Sequence, residues 1–159
     1  MSANINNLSP PPGVGVSSTL EHRFILTQVE HLTLVFPATW VVEIIRTDRS
    51  QVLDLPFYDP LLVGIVNYNS QITPLIATCG LLAVAPASLA ERLVVVRLDP
   101  GAGELGNVGL IVDRAIGSIT REQLPPELFS SDRSGSMVMM RSSLVPSNLW
   151  QPKYWSIDN

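Results

Sequence analysis

The sequence has few of the residues that catalysis, cross-linking or metal binding require. Its 159 residues include one cysteine, Cys79, and two histidines, His22 and His31. A single cysteine cannot form an internal disulfide, which is typical of a protein in a reducing cytosol. One cysteine and two histidines also fall short of the four ligands of a usual structural zinc site. We therefore expect no disulfide, no metal site and no cofactor.

Charge is scarce as well. Charged residues make up 15% of the chain, the net charge is −4, and Lys153 is the only lysine. A nucleic-acid binder needs a concentrated basic face, so we expect no nucleic-acid partner. Hydrophobic residues make up 46% of the chain. Because disorder requires low hydrophobicity together with high charge, the chain as a whole is expected to fold.

No hydrophobic run is long enough to cross a membrane. The most apolar stretch covers residues 79–90 and is interrupted by Pro86, whereas a membrane span takes about 18–20 apolar residues. Residues 1–18 have neither a basic region nor an apolar core, so we expect no signal peptide. These features predict a cytoplasmic protein that does not insert into a membrane.

The chain is rich in glycine and proline, with 10 and 13 residues, and long helices tolerate neither. Short runs of Val, Ile, Leu and Phe recur between turn residues instead, which is typical of strands in a closed or paired all-β architecture. Strands are predicted over residues 23–29, 32–36, 51–55, 62–68, 71–78, 92–98, 108–113, 115–120 and 136–141.

Two short helices are predicted beside the strands. Residues 37–44 begin with a proline and carry apolar residues at helical spacing, which favours a helix. Residues 86–91 could form a single helical turn. Residues 99–104 read as a Gly-rich loop, and we expect it to join two paired strands as a hairpin.

The two ends of the chain differ from its middle. Residues 1–20 are polar and rich in Pro, Gly and Ser. The run Pro10–Pro12 disfavours both helix and ladder pairing, so we expect a flexible tail. Residues 147–159 carry two tryptophans and a tyrosine. Because such side chains are unfavourable when exposed together, we expect this segment to pack on the body of the protein.

No group of residues points to an active site. His22 and His31 lie nine residues apart, and no carboxylate lies at a metal-ligand spacing from both, so we expect surface or strand-edge positions. Nothing near Cys79 in the sequence would activate its thiol. Residues 101–106 nearly match the dinucleotide-binding pattern, but they open a hairpin instead of a helix. We therefore predict no catalytic and no cofactor-binding residue.

One stretch is the most informative. It contains the run VVEI at residues 41–44, Leu-Pro at 55–56 and LVGIVNYNSQITPLI at 62–76. Gly64 inside a strand predicts a bulge or a close backbone approach. Pro74 lacks an N–H, so we expect it at an edge or at an irregularity of the ladder.

A second ordered match lies downstream, in GLIVD at residues 109–113 and ITREQLP at 119–125. In this order the motifs resemble those of the CheW-like family, the coupling proteins of bacterial chemosensory arrays. The resemblance covers roughly residues 22–146. It implies an all-β fold with one or two short helices. This fold is built of two intertwined five-stranded SH3-like barrels, one over about 21–85 and the other over about 90–146.

The resemblance also implies a function. Members of the family are non-catalytic adaptors of motility signalling that bridge a chemoreceptor's cytoplasmic helical tip to the regulatory domain of a CheA-type histidine kinase, through a hydrophobic seam. Carried over by position, the receptor groove and kinase-docking surface would include Val41, Glu43, Ile44, Ile65, Asn67, Asn69 and Ser70. The apolar residues Val41, Ile44 and Ile65 could equally belong to the core. Asn67 could cap a turn through its side chain.

One pair of residues departs from the family pattern. Where the family has Arg-Gly, this chain has Asn69-Ser70, so any salt bridge from that position is lost. If the turn needs a positive φ, Ser70 would adopt it at a cost of about 1–2 kcal/mol. Asn69 tolerates that conformation better, so the left-handed residue could move back by one. We expect a remodelled hairpin tip with altered or weakened docking.

Three functions fit the sequence. The first is the chemosensory adaptor, and the second is a stand-alone β-barrel interaction module with different partners. The third is a small β-barrel enzyme, which would need a polar pocket that brings a histidine near a carboxylate or Cys79. Exposed barrel edges could also pair with a second copy of the chain, which leaves weak self-association open.

Overall fold

The computed structural model describes residues 22–84 and 90–153. The tail expected over residues 1–20 lies outside these ranges. So do most of the turn expected over 86–91 and the end of the aromatic C-terminal segment.

Strands are the main regular structure of the described ranges, and the helices between them are short. The strands are β1 (Arg23–Val29), β2 (Leu32–Pro37), β3 (Val41–Asp48), β4 (Leu62–Tyr68), β5 (Gln71–Ala77), β6 (Arg92–Leu98), β7 (Gly109–Val112), β8 (Arg114–Thr120), β9 (Arg133–Ser134) and β10 (Met137–Met139). The α-helices are α1 (Thr78–Leu81) and α2 (Glu127–Ser131). Turns of 3-10 helix cover Ala38–Trp40, Arg49–Gln51, Pro100–Leu105, Arg121–Gln123, Ser142–Leu144 and Ser147–Trp150.

The strands form two five-stranded sheets that curl like half-barrels. Sheet I has the order β8-β1-β2-β10-β9, and sheet II has the order β3-β6-β7-β5-β4. Strands from distant parts of the chain lie side by side in both sheets, as β2 beside β10 and β5 beside β7. The predicted fold class is confirmed. The boundaries of about 21–85 and 90–146 for the two barrels stay a prediction.

Three buried clusters divide the hydrophobic core. Val95 and Val96 enter different clusters, because successive side chains of a strand point to opposite faces. Burial on both faces explains why the run LVVV at residues 93–96 shows no polar alternation. The largest cluster joins the two sheets and includes Leu34, Phe36, Val96, Leu98 and Leu110. The second, on the other face of sheet II, contains Ile45, Val66, Leu75, Leu93, Val95 and Ile111. The third, against sheet I, contains Phe24, Val35, Leu124, Leu128 and Met139.

The strand predictions for β1, β4 and β6 match the structure at both ends. The strand predicted over residues 51–55 is wrong, since a 3-10 turn covers Arg49–Gln51 and only Leu53 makes an isolated bridge, to Ile65. Leu53 exchanges both of its backbone hydrogen bonds with Ile65. A single pair therefore satisfies this connection, and no ladder extends along it.

The helix predicted over residues 37–44 is also wrong. A 3-10 turn covers Ala38–Trp40, and β3 begins at Val41. β3 pairs antiparallel with β6 along its whole length. The ladder hydrogen bonds and the preference of β-branched side chains for a pleated, half-buried surface outweigh the helical spacing of the apolar residues.

The irregularities expected of Gly64 and Pro74 are both present. The β4–β5 register shifts at Gly64, where a Cβ would meet the carbonyl oxygen of Leu53. Pro74 lies opposite Ile65, whose N–H and C=O are both bonded to Leu53. The missing N–H of Pro74 therefore removes no hydrogen bond from the β4–β5 ladder. The hydrogen bond that an N–H at residue 74 could make is absent on the side facing β7, where pairing begins only at Leu75.

The described part of the C-terminal segment lies against the body. Leu149 is fully buried in the cluster between the sheets. The backbone N–H of Lys153 donates to the carbonyl of Phe57, and its Nζ lies 3.1 Å from Oδ2 of Asp59. These contacts join the end of the described chain to the connection between β3 and β4.

Candidate protein-docking site

Arg97 and Glu43 form an ion pair near one end of sheet II. Glu43 on the outer strand β3 lies opposite Arg97 on β6. The Nε and Nη2 of Arg97 lie 2.9 and 2.7 Å from the same oxygen, Oε2 of Glu43. The two side chains are only 12% and 32% exposed. Solvent therefore screens this pair less than it screens a surface pair, and the carboxylate of Glu43 is held in one orientation.

Arg97 also contacts the hairpin that connects β4 and β5. Its Nη1 donates to Oε1 of Gln71 at 3.1 Å. Its guanidinium carbon lies 6.0 Å from the ring centroid of Tyr68, within range of a cation–π interaction. Because β3 and β4 are the two outer strands of sheet II, Arg97 connects residues from opposite edges of the sheet.

The hairpin tip, residues 67–72, closes in a two-residue turn formed by Asn69 and Ser70. Asn69 and Ser70 have φ of 51° and 66°, as a type I′ turn requires at both central positions. The expected left-handed residue is therefore present at Asn69, and Ser70 adopts a left-handed φ as well. Asn67 and Ile72 pair across the hairpin and are exposed, with Ile72 exposed to 59%.

The structure brings some of the predicted docking residues together and separates others. Glu43 is connected through Arg97 to the hairpin that carries Asn67, Asn69 and Ser70. Val41 packs against the cluster between the sheets. This position agrees with the alternative interpretation, in which Val41 belongs to the core. Ile44 is exposed on β3, and Ile65 is half-buried on β4. Arg97 thus joins Glu43 to the hairpin residues, whereas Val41, Ile44 and Ile65 do not belong to this network of contacts.

Three residues of this region are not among the predicted site residues: Arg97, Gln71 and Ile72. A signal for Arg97 was present, since it is a charged residue inside the otherwise apolar run LVVVRL at residues 93–98. A charge in such a strand needs a partner. The sequence does not reveal that the partner is Glu43, 54 residues away.

The described residues contain no arrangement typical of an active site. No group of three or more His, Cys, Asp or Glu side chains within residues 22–84 and 90–153 could hold a metal ion. His22 and His31 are both exposed, as predicted. An open cavity of about 780 Å³ is lined by residues from the end of β3 and the connection that follows it, from the start of β6 and from β4, and its lining includes neither histidine nor cysteine. Its lining residues are Asp48, Arg49, Ser50, Val52, Asp54, Val63, Glu91 and Arg92.

Two carboxyl groups among the described residues have shifted pKa values, and both shifts are downward. The backbone N–H of Leu61 donates to Oδ1 of Asp59 at 2.9 Å and, with Lys153, lowers the pKa of Asp59. A backbone hydrogen bond and one from Thr120 lower the pKa of Glu122. A lowered carboxyl pKa keeps the group ionised at neutral pH, which is the opposite of what a general acid requires.

Neither helix of the described part is long and apolar enough to cross a membrane.

Two curled five-stranded sheets with a shared hydrophobic core define an all-β protein, and exposed apolar side chains lie on its outer strand β3. The family model of the CheW-like domain matches residues 23–139, and the chain belongs to this family. The solved structure of the scaffolding protein TtCheW from Thermoanaerobacter tengcongensis has a similar fold. Its TM-score is 0.57 at 14% sequence identity, over 76% of this chain and 89% of that chain. No curated protein matches the sequence.

Membership of the family establishes the class of function. CheW-like proteins are non-catalytic scaffolding adaptors of chemotaxis signalling, so this chain is not an enzyme. The resemblance stated from the motifs at residues 41–44, 55–56, 62–76 and 109–125 is confirmed.

Proposed function

We propose that this protein couples the cytoplasmic helical tip of a chemoreceptor to the regulatory domain of a CheA-type histidine kinase. It acts in the cytoplasm and is recruited to membrane-associated receptor arrays. The hydrophobic seam and the seven predicted positions form its docking surfaces. The observation that carries this proposal is the outer strand β3, on which Val42 and Ile44 are both exposed.

The geometry of β3 suits docking of a second protein. Within residues 22–84 and 90–153, β3 pairs with β6 alone, so the backbone N–H and C=O groups on its other side make no ladder hydrogen bonds there. An outer strand of this kind can accept a further strand, or it can form one wall of a groove that accepts an apolar helix face. Ile44 follows Glu43 along the strand, so the two side chains point to opposite faces of β3. Ile44 is exposed, whereas the ion pair with Arg97 holds Glu43 on the other face. β3 therefore offers an apolar contact on one face and an oriented carboxylate on the other.

The proposal is tested by isothermal titration calorimetry with a purified receptor tip and, separately, with the kinase regulatory domain. We expect binding to both, and we expect Ile44→Asp to weaken at least one affinity tenfold or more, because a charge would replace an apolar contact. Ile116→Asp is the matched control, since Ile44 and Ile116 are 39% and 44% exposed and Ile116 lies on β8 of the other sheet. Absence of binding to either partner, or equal effects of the two substitutions, would contradict the proposal.

A second candidate is a stand-alone interaction module with remodelled docking and different partners. Asn69-Ser70 in place of the family's Arg-Gly favours this candidate, because a guanidinium that could form a salt bridge is absent from the tip. It predicts weak binding of the natural chain to the receptor tip and stronger binding of an Asn69→Arg/Ser70→Gly variant. Equal affinities of the two forms would contradict it.

A further inference from the structure

The hairpin tip is uncharged over six consecutive residues. Residues 67–72 read NYNSQI and contain no Asp, Glu, Lys, Arg or His. Asn67, Asn69, Ser70, Gln71 and Ile72 are all exposed. The tip therefore presents amide and hydroxyl groups around one exposed isoleucine.

The charges in contact with the tip neutralise each other. Arg97, which contacts Gln71 and Tyr68, directs two of its nitrogens to Glu43. Its side chain is only 12% exposed. A guanidinium and a carboxylate joined by hydrogen bonds have a field that falls off quickly with distance, and salt screens what is left. Among the described residues, the charges that contact the tip thus form an ion pair with no net charge.

We infer that the hairpin tip is a docking surface for an uncharged region of the partner, built of apolar and amide or hydroxyl side chains. The inference rests on the proposed function and specifies the chemistry of the partner at this hairpin. Charge complementarity carries it, because a carboxylate or an ammonium group buried against this tip would find no opposite charge. A guanidinium does contact the hairpin, that of Arg97, but Glu43 already binds it.

Substitutions of both signs at one position test this inference. Asn69→Arg and Asn69→Asp each place a charge at the centre of the tip. Against an uncharged partner surface, both should weaken binding about fivefold or more, since either charge loses solvent without gaining a counter-charge. Against a partner with a carboxylate at this place, Asn69→Arg should strengthen binding while Asn69→Asp weakens it.

Asn107 supplies the matched control. It is an exposed asparagine with a left-handed φ of 67°, in the connection between β6 and β7. Arg and Asp at residue 107 therefore introduce the same charges in the same backbone conformation. We expect Asn107→Arg and Asn107→Asp to leave both affinities within twofold of the natural chain.

The measurement is calorimetry of the full-length variants with the receptor helical tip and, separately, with the kinase regulatory domain. Circular dichroism first establishes that each variant is folded. Weakening of binding to the same partner by both Asn69 variants supports the inference. Effects of opposite sign, or no effect on either partner, overturn the inference while the proposed function stands. If the natural chain binds neither the receptor tip nor the kinase domain, both the inference and the proposed function are overturned.

Discussion

Arg97 donates a hydrogen bond from Nε to Oε2 of Glu43 at 2.9 Å, and its Nη2 lies 2.7 Å from the same oxygen in an ion pair. Glu43→Gln would remove the charge of the acceptor and leave a mostly buried guanidinium without a counter-charge. We expect the free energy of unfolding to fall by about 1.5–3 kcal/mol, the range for hydrogen bonds to charged groups. Urea denaturation at neutral pH measures this change.

The ion pair between Arg92 and Asp48 is the control for that substitution. It joins the same two strands, β6 and β3, but its side chains are 70% and 57% exposed. Asp48→Asn should change stability by no more than about 0.5 kcal/mol, because solvent screens exposed pairs. Equal effects of Glu43→Gln and Asp48→Asn would show that burial does not strengthen the Arg97 pair.

Thr73 is buried on β5, and its hydroxyl has no hydrogen-bond partner in the described structure. Replacing a buried, unsatisfied hydroxyl by a methyl group of similar size removes a desolvation penalty. We expect Thr73→Val to stabilise the protein by about 1 kcal/mol, as a rise of the midpoint of urea unfolding.

Thr27 is the matched comparison for Thr73. It is also fully buried in a strand, but its Oγ1 donates to the carbonyl of Leu34 at 3.0 Å. Thr27→Val should therefore destabilise by about 1 kcal/mol, through loss of that bond. Changes of the same sign at the two threonines would mean that hydrogen bonding does not decide the effect.

Ser70 adopts a left-handed φ of 66°, which is unfavourable for a residue with a Cβ. Ser70→Gly relieves this strain, although glycine gains entropy in the unfolded chain and offsets part of the gain. We expect a net stabilisation of about 0.5–1 kcal/mol in thermal unfolding. Asn69→Gly should give less, since asparagine tolerates this conformation. A larger gain at Asn69 than at Ser70 would contradict the argument.

Because of Asp59, the free energy of unfolding should depend on pH in the acid range. Its pKa lies below the ordinary value of 3.8, first because of the Leu61 N–H and then because of Lys153. A lowered folded-state pKa means that ionised Asp59 stabilises the fold above the unfolded pKa. This contribution is lost as the pH falls through the folded pKa. The stability difference between the natural chain and Asp59→Asn should therefore be constant near neutral pH and shrink below about pH 4.

Urea denaturation between pH 3 and 7 measures that difference. Lys153→Met is the informative companion, because it leaves the hydrogen bond from Leu61 in place. It should retain most of the pH dependence that Asp59→Asn abolishes. Complete loss of the dependence in Lys153→Met would assign the shift to the ion pair instead.

The amount of the fold that the sequence predicts depends on the range of the interactions involved. β1, β4 and β6 were predicted with correct bounds, because strand composition and turn residues are local signals. The helix expected over residues 37–44 is wrong because β-branched and apolar side chains at helical spacing also suit a half-buried outer strand. Pairing of Val41–Asp48 with β6 decided the outcome.

The site shows the same division. The motifs around Glu43 and the hairpin were visible in the sequence, and so was the unusual Asn69-Ser70 pair. The sequence by itself thus determined the all-β class and the family, and through the family the non-catalytic role, since these depend on composition and on short ordered motifs. Only the tertiary structure decided that Arg97 joins Glu43 to the hairpin. That contact spans 54 residues of the chain, and the register between β3 and β6, which no local pattern encodes, places the two charges opposite each other.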